Sequence, residues 1–121
     1  MQEWLQRHRG QPLPEAVCCG SDDIAFGCID ALEGCGLSVP HDISIAGFDD
    51  TLMARTLRMT TVRQPLFEMG RRAVDVLMQL IEAQRRGEAY IGPSDIVLPV
   101  KIVQGRTLPG PRNTPLNIPS R

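Results

Sequence analysis

The stretch ISIAGFDDT, residues 43–51, decides how the chain is read. Ile43, Ser44, Ile45 and Ala46 suit a short buried strand, and they run into a glycine, an aromatic and two adjacent aspartates. Two carboxylates at a strand end fit a catalytic dyad, a metal site, a phosphoacceptor or a ligand clamp. The neighbouring segments narrow that choice.

Upstream, residues 2–9 read as the end of a helix, broken by Gly10 to Pro14. EAVCCG (15–20) is an apolar run of strand length. SDD follows it, offering Ser21 and Asp22 as helix N-caps and Asp23 for the first turn, where a carboxylate suits the helix dipole. Ile24, Gly27, Cys28, Ala31, Leu32 and Cys35 then recur with helical spacing, predicting a helix that ends at Gly34 and Gly36.

Downstream, residues 49–58 predict a loop or short helix, and TTVRQP (60–65) predicts a third strand. Leu66, Met69, Gly70, Ala73, Val76, Leu77, Leu80 and Ile81 form an apolar stripe over four to five turns of a helix closed by Gly87. Glu68–Arg72, Arg71–Asp75 and Glu82–Arg86 are charge pairs on its solvated side. SDIVLP and VKIVQGRT read as two further strands. The proline-rich stretch 108–121 is expected to be a flexible tail.

Short buried strands alternating with amphipathic helices predict an α/β fold, three-layer α/β/α with a mostly parallel sheet. Ligands in such sheets sit at the carboxyl ends of strands. SDD, FDD and the Arg63–Gln64 pair all fall at that edge, so polar groups from three strand ends converge on one rim.

Composition removes several chemistries. The chain has 121 residues, a net charge of −1 and 4% aromatic residues, so neither a basic face nor stacking platforms for nucleic acid are visible. No apolar run is long enough to span a membrane, and the N-terminus lacks an apolar leader core, which points to the cytoplasm. The four cysteines contain no CxxC pair, and His8 and His41 sit at no metal-ligand spacing. No metal and no cofactor is therefore expected, and the cysteines read as small core residues in a reducing compartment.

A phosphoacceptor receiver needs a lysine before a proline and an extra strand–helix unit between its acidic loops, and neither is present. Hydrolases would need histidines, a phosphate loop or a carboxyl in a closed apolar cleft. No serine has a partner base, so no catalytic residue is assigned. Binding without chemistry remains: carboxylates, amides and an arginine at a cleft rim bond the hydroxyls of a sugar or similar polar molecule.

The ordered set PEAVCCGSDDIAFG, GLSVPHDISIAGFDD, MTTVRQP, MGRRAVDVL and LPVKIVQGRT resembles the LacI/GalR family of bacterial transcriptional regulators over roughly residues 14–107. The resemblance implies a periplasmic-binding-protein-like (type I) fold of two α/β subdomains with the effector between them, of which this chain is the C-terminal portion. It places residues 1–63 and about 98–107 in the C-terminal subdomain and about 64–97 in the N-terminal one. Helix 66–87, parted from its home sheet, is then expected to pack on a neighbouring copy or expose its stripe.

The implied effector contacts are Ser21, Asp22, Asp49 and Gln64, with Asp50 serving the loop. Ser21 departs from the asparagine preferred there, which shortens its reach and suggests a different or bulkier effector. Phe26, Ile29 and Asp30 fall where the family places its homodimer interface. Operator DNA would be met only through a headpiece missing from this chain. The alternative is a small-molecule receptor of the same fold without a DNA role.

Overall fold

The computed structural model describes residues 1–8, 10–93 and 95–109. The chain divides into two compact units, one of Met1–Arg63 with the chain from Lys101 onward, the other Gln64–Val100.

In the first unit, α1 (Gln2–Arg7) leads to β1 (Ala16–Cys18), α2 (Asp22–Glu33), β2 (Ser44–Ala46), α3 (Leu52–Thr56) and β3 (Thr61–Arg63). β1 and β2 pair in parallel, Val17 opposite Ile45, so the loops SDD and FDD leave the same edge. A parallel bridge from Ala46 to Thr60 extends this arrangement. The final strand β4 (Lys101–Val103) runs antiparallel to β3, with Arg63 opposite Lys101.

The core is formed by Leu5, Leu13, Cys19, Ala25, Leu32, Leu37, Ile43, Ile45, Ala54 and Met59. Ile43, Ile45 and Leu32 are almost fully removed from water, and burying each such side chain contributes about 2 kcal/mol. The stripe on α2 differs from its expected register. Ala25 and Leu32 face the core, with Cys28 and Ile29 packed beside them, whereas Ile24, Gly27 and Cys35 are exposed. Two short polar side chains explain the rotation: Ser21 caps the helix and Asp22 turns inward, which sets the helix phase.

Of the cysteines, Cys19 is buried and Cys18, its neighbour, is exposed, as alternation along an extended chain requires. Cys28 is half-buried and Cys35 exposed, so only part of the expected set of core thiols is enclosed.

The second unit consists of α4 (Leu66–Arg86) and the chain after it. Gly87 ends the helix in the left-handed conformation at φ 69°, and Glu88 N–H donates to the Ala83 carbonyl across the turn. On the charged side, Arg72 and Arg71 pair with Glu68, and Arg71 also reaches Asp75. No residue of α4 is buried, and Leu66, Leu77 and Val74 are 63%, 54% and 57% exposed. The segment SDIVLP, expected as a strand, forms none among its described residues 95–99. The described residues of this unit contain no strand for it to pair with. The tail expectation for 108–121 falls on residues outside those described, apart from Leu108 and Pro109.

Candidate ligand-binding edge

The carboxyl ends of β1 and β2 build the site. Ser21 N-caps α2, its Oγ accepting from the Ile24 N–H at 3.2 Å. Asp22, the first residue of that helix, has no exposed surface. Its Oδ1 accepts from the Thr61 hydroxyl at 2.6 Å and its Oδ2 from the Thr51 N–H at 2.7 Å. Its own N–H donates to the Phe48 carbonyl at 2.8 Å. Both oxygens of this buried carboxylate are thereby satisfied, as burial of a charge demands. Asp22 ties the loop after β1 to the loop after β2 and to β3.

Gly47 is needed for that arrangement. A Cβ there would run into the Asp22 carboxylate and stand 2.6 Å from Met59 Cε. The residue between strand and acidic pair must therefore be glycine for the Asp22 contact to exist.

The two aspartates of FDD separate sharply. Asp49 is half-buried with φ 119°, in a region that non-glycine residues seldom occupy. Its N–H donates to the Val62 carbonyl at 2.9 Å, which pins the loop to β3. Strained residues of this kind persist only where the surroundings over-determine them. Asp50 is buried, its side chain 1% exposed, with φ 59°. Its Oδ2 accepts from Arg63 Nε and from Arg55 at 2.9 Å, while its N–H donates to Thr61 Oγ at 3.3 Å. Its Oδ1 is buried without a hydrogen-bond partner. Burial pushes the Asp50 carboxyl upward, but the hydrogen bonds and charges of Arg55 and Arg63 outweigh it and hold it below the ordinary carboxylate value.

Thr61 thus joins both acidic loops: its hydroxyl donates to Asp22 and accepts from the Asp50 backbone. Thr51 contributes twice, through its N–H to Asp22 and through its Oγ, which caps α3. Sequence reasoning missed Thr51, Thr61 and Arg55, whose roles depend on partners up to 39 residues away. The one available signal was the threonine pair Thr60–Thr61 at the start of β3.

Of the expected contacts, the structure brings Ser21, Asp22 and Asp49 onto linked loops at one edge. Gln64 is the first residue of the second unit. There it lines, with Pro65, Met69, Arg72 and Ile96, a cavity of about 550 Å³. Phe26, Ile29 and Asp30 lie together on α2, lining a cavity of about 470 Å³ with Glu33, Leu57 and Arg106. Phe26 and Ile29 also pack partly on the core, so Phe26 is less detached from it than its place off the expected stripe implied. Among the described residues no group of three or more His, Cys, Asp or Glu is placed to hold a metal. No described helix is long and apolar enough to cross a membrane.

Comparison with known proteins points one way. The family model of the periplasmic binding protein-like domain matches residues 1–108. The arabinose metabolism transcriptional repressor of Geobacillus stearothermophilus is 43% identical over 82 residues, which is 66% of this chain and 22% of that protein. The HTH-type transcriptional repressor PurR of Yersinia pestis is 36% identical over 105 residues, 85% of this chain and 28% of the relative. The chain therefore spans less than a third of these relatives' length. Among solved structures, the lac repressor dimer bound to operator and an anti-inducer is similar, with a TM-score of 0.70 at 31% identity. That match covers 88% of this chain and 35% of the repressor. A LacI-family regulator from Corynebacterium glutamicum matches with a TM-score of 0.65 at 33% identity, over 88% of this chain and 29% of its own.

Proposed function

Because the chain belongs to the periplasmic-binding-protein-like family, in its LacI/GalR branch of transcriptional regulators, we propose that it is the C-terminal part of an effector-binding and dimerisation core. The effector is a sugar or similarly polar small molecule. Asp49 supplies the hydroxyl-binding carboxylate, Ser21 a hydroxyl, and Gln64 an amide. Asp22, with both oxygens occupied, serves the same site from beneath by fixing the two loops. Residues 1–63 with about 98–107, and about 64–97, belong on this reading to two different subdomains.

The observation that carries the proposal is the strained, half-buried Asp49 held on a loop that Asp22, Thr61 and Val62 immobilise. A backbone held this firmly at a sheet's carboxyl edge presents its side chain to a ligand with less chain entropy left to lose. Nothing in this edge calls for catalysis, and the relatives are repressors. In the longer protein, effector binding shifts the balance between open and closed subdomains and so the operator affinity of a separate headpiece. A homodimer through Phe26, Ile29 and Asp30, acting in the cytoplasm, completes the reading.

The test is a thermal-shift screen of pentoses, hexoses, purines and phosphosugars against a protein containing this chain. A stabilising ligand is expected, and Asp49→Ala is expected to abolish its shift. A ligand whose stabilisation survives Asp49→Ala would overturn the site.

A further inference from the structure

Cys19 and Cys28 stand with their sulfur atoms 3.8 Å apart, in direct contact across the junction of β1 and α2. Cys19 closes the extended run that begins as β1, and Cys28 lies on the second turn of α2, packed against the same core. Neither has a role in the ligand edge described above. We propose that this pair is an oxidation site at which hydrogen peroxide forms an intramolecular disulfide between Cys19 and Cys28.

Geometry carries the idea. A disulfide sulfur–sulfur bond measures about 2.05 Å, so the two atoms need to close roughly 1.8 Å. The other two thiols lie outside this contact. Cys18 is exposed, next to Cys19 on a chain whose side chains alternate in direction, and Cys35 is exposed beyond the end of α2. The two partners also differ in access, since Cys28 is half-buried and Cys19 buried. That difference orders the reaction. Cys28 meets the peroxide first: its sulfur attacks one peroxide oxygen, the O–O bond breaks and an S–O bond forms. The departing oxygen leaves as water with the proton given up by Cys28. The Cys19 sulfur then attacks the Cys28 sulfenic acid; an S–S bond forms, the S–O bond breaks, and the hydroxyl leaves with the Cys19 proton as a second water. Two thiols are oxidised by two electrons in all, and one peroxide is reduced. The thiol of Cys19 is held high, at about 11, by burial and by the neighbouring Cys28 and Cys18, so this second step is slow at neutral pH.

The test treats the chain with hydrogen peroxide and maps the products without reductant. Cleavage before Asp22, Asp23 and Asp30 separates Cys18–Cys19, Cys28 and Cys35 onto three peptides. The expected result is a product two hydrogen atoms lighter, with free thiols falling from four to two and the first two peptides linked. A double Cys18→Ser, Cys35→Ser variant keeps the link. Cys28→Ser loses it while retaining the native far-ultraviolet circular dichroism. A link through Cys18 or Cys35, cross-linked dimers, or oxidation that stops at separate sulfinic acids would overturn the proposal.

Discussion

Asp22 gives up all contact with water, yet it is the residue that braces the two loops of the candidate ligand edge. Replacing it with alanine leaves the Thr61 hydroxyl and the Thr51 N–H without their acceptor in a buried setting. Asp22→Ala is expected to destabilise the chain by about 3 kcal/mol, read from denaturant unfolding. A loss below about 1 kcal/mol would mean that water replaces the carboxylate. Asp50 makes a second, pH-dependent contribution. Its folded-state carboxyl lies below its unfolded value of 3.8, so its stabilisation is complete above that value and is lost as pH falls through the lower, folded one. Stability should therefore drop on acidification below about pH 4. Asp50→Asn should flatten that drop, as measured by unfolding midpoints across the acid range. Arg55 and Arg63 are about half exposed, so salt should weaken the effect. At this scale the sequence revealed residue types better than roles. The FDD pair and Ser21 were legible from their place at strand ends, and the split between Asp49 and Asp50 came from the family pattern. The inward turn of Asp22 was not legible, because an N-terminal aspartate on a helix looks the same whether it caps, binds or braces.

Among elements, the strands and helices were readable wherever apolar spacing was strong. α4 and α2 emerged as helices within a residue or two at most ends, whereas the phase of α2 did not. A stripe counted from Ile24 and one counted from Ala25 satisfy the same helical period, and only the burial of Asp22 selects between them. SDIVLP failed as a strand for a different reason: β-rich composition needs a hydrogen-bonding neighbour, and the described part of its unit has none. α4 itself has a strong amphipathic pattern and no buried residue, which leaves Leu66, Val74 and Leu77 facing solvent. An apolar face of that kind drives association. The chain is expected to sediment as a species heavier than monomer at micromolar concentration, and Leu77→Glu to shift it toward monomer. A strictly monomeric wild type would show that the face is tolerated in water.

For the molecule as a whole, the alternation of short strands and helices made the α/β class readable before any coordinates, and the ordered spacing of several weak motifs narrowed it to the periplasmic-binding-protein-like type. The expectation of two subdomains came only from that resemblance; periodicity alone sees consecutive elements and is blind to which of them share a core. The register of β3 and β4 adds a consequence. Arg63 and Lys101 face each other across an antiparallel pair, so the chain leaves the first unit and re-enters it at neighbouring points, roughly 5 Å apart. Residues 64–100 are thus wired in as an insertion with adjacent ends, a topology that permits excision. Joining Arg63 to Lys101 through an Asn-Gly hairpin turn should yield a miniature that still unfolds cooperatively on heating, monitored by circular dichroism. A non-cooperative melt would mean that the inserted unit is required for the host to fold. If the miniature holds, the candidate ligand edge can be moved onto other scaffolds as a cassette, with residues 64–100 grafted back at a single hairpin.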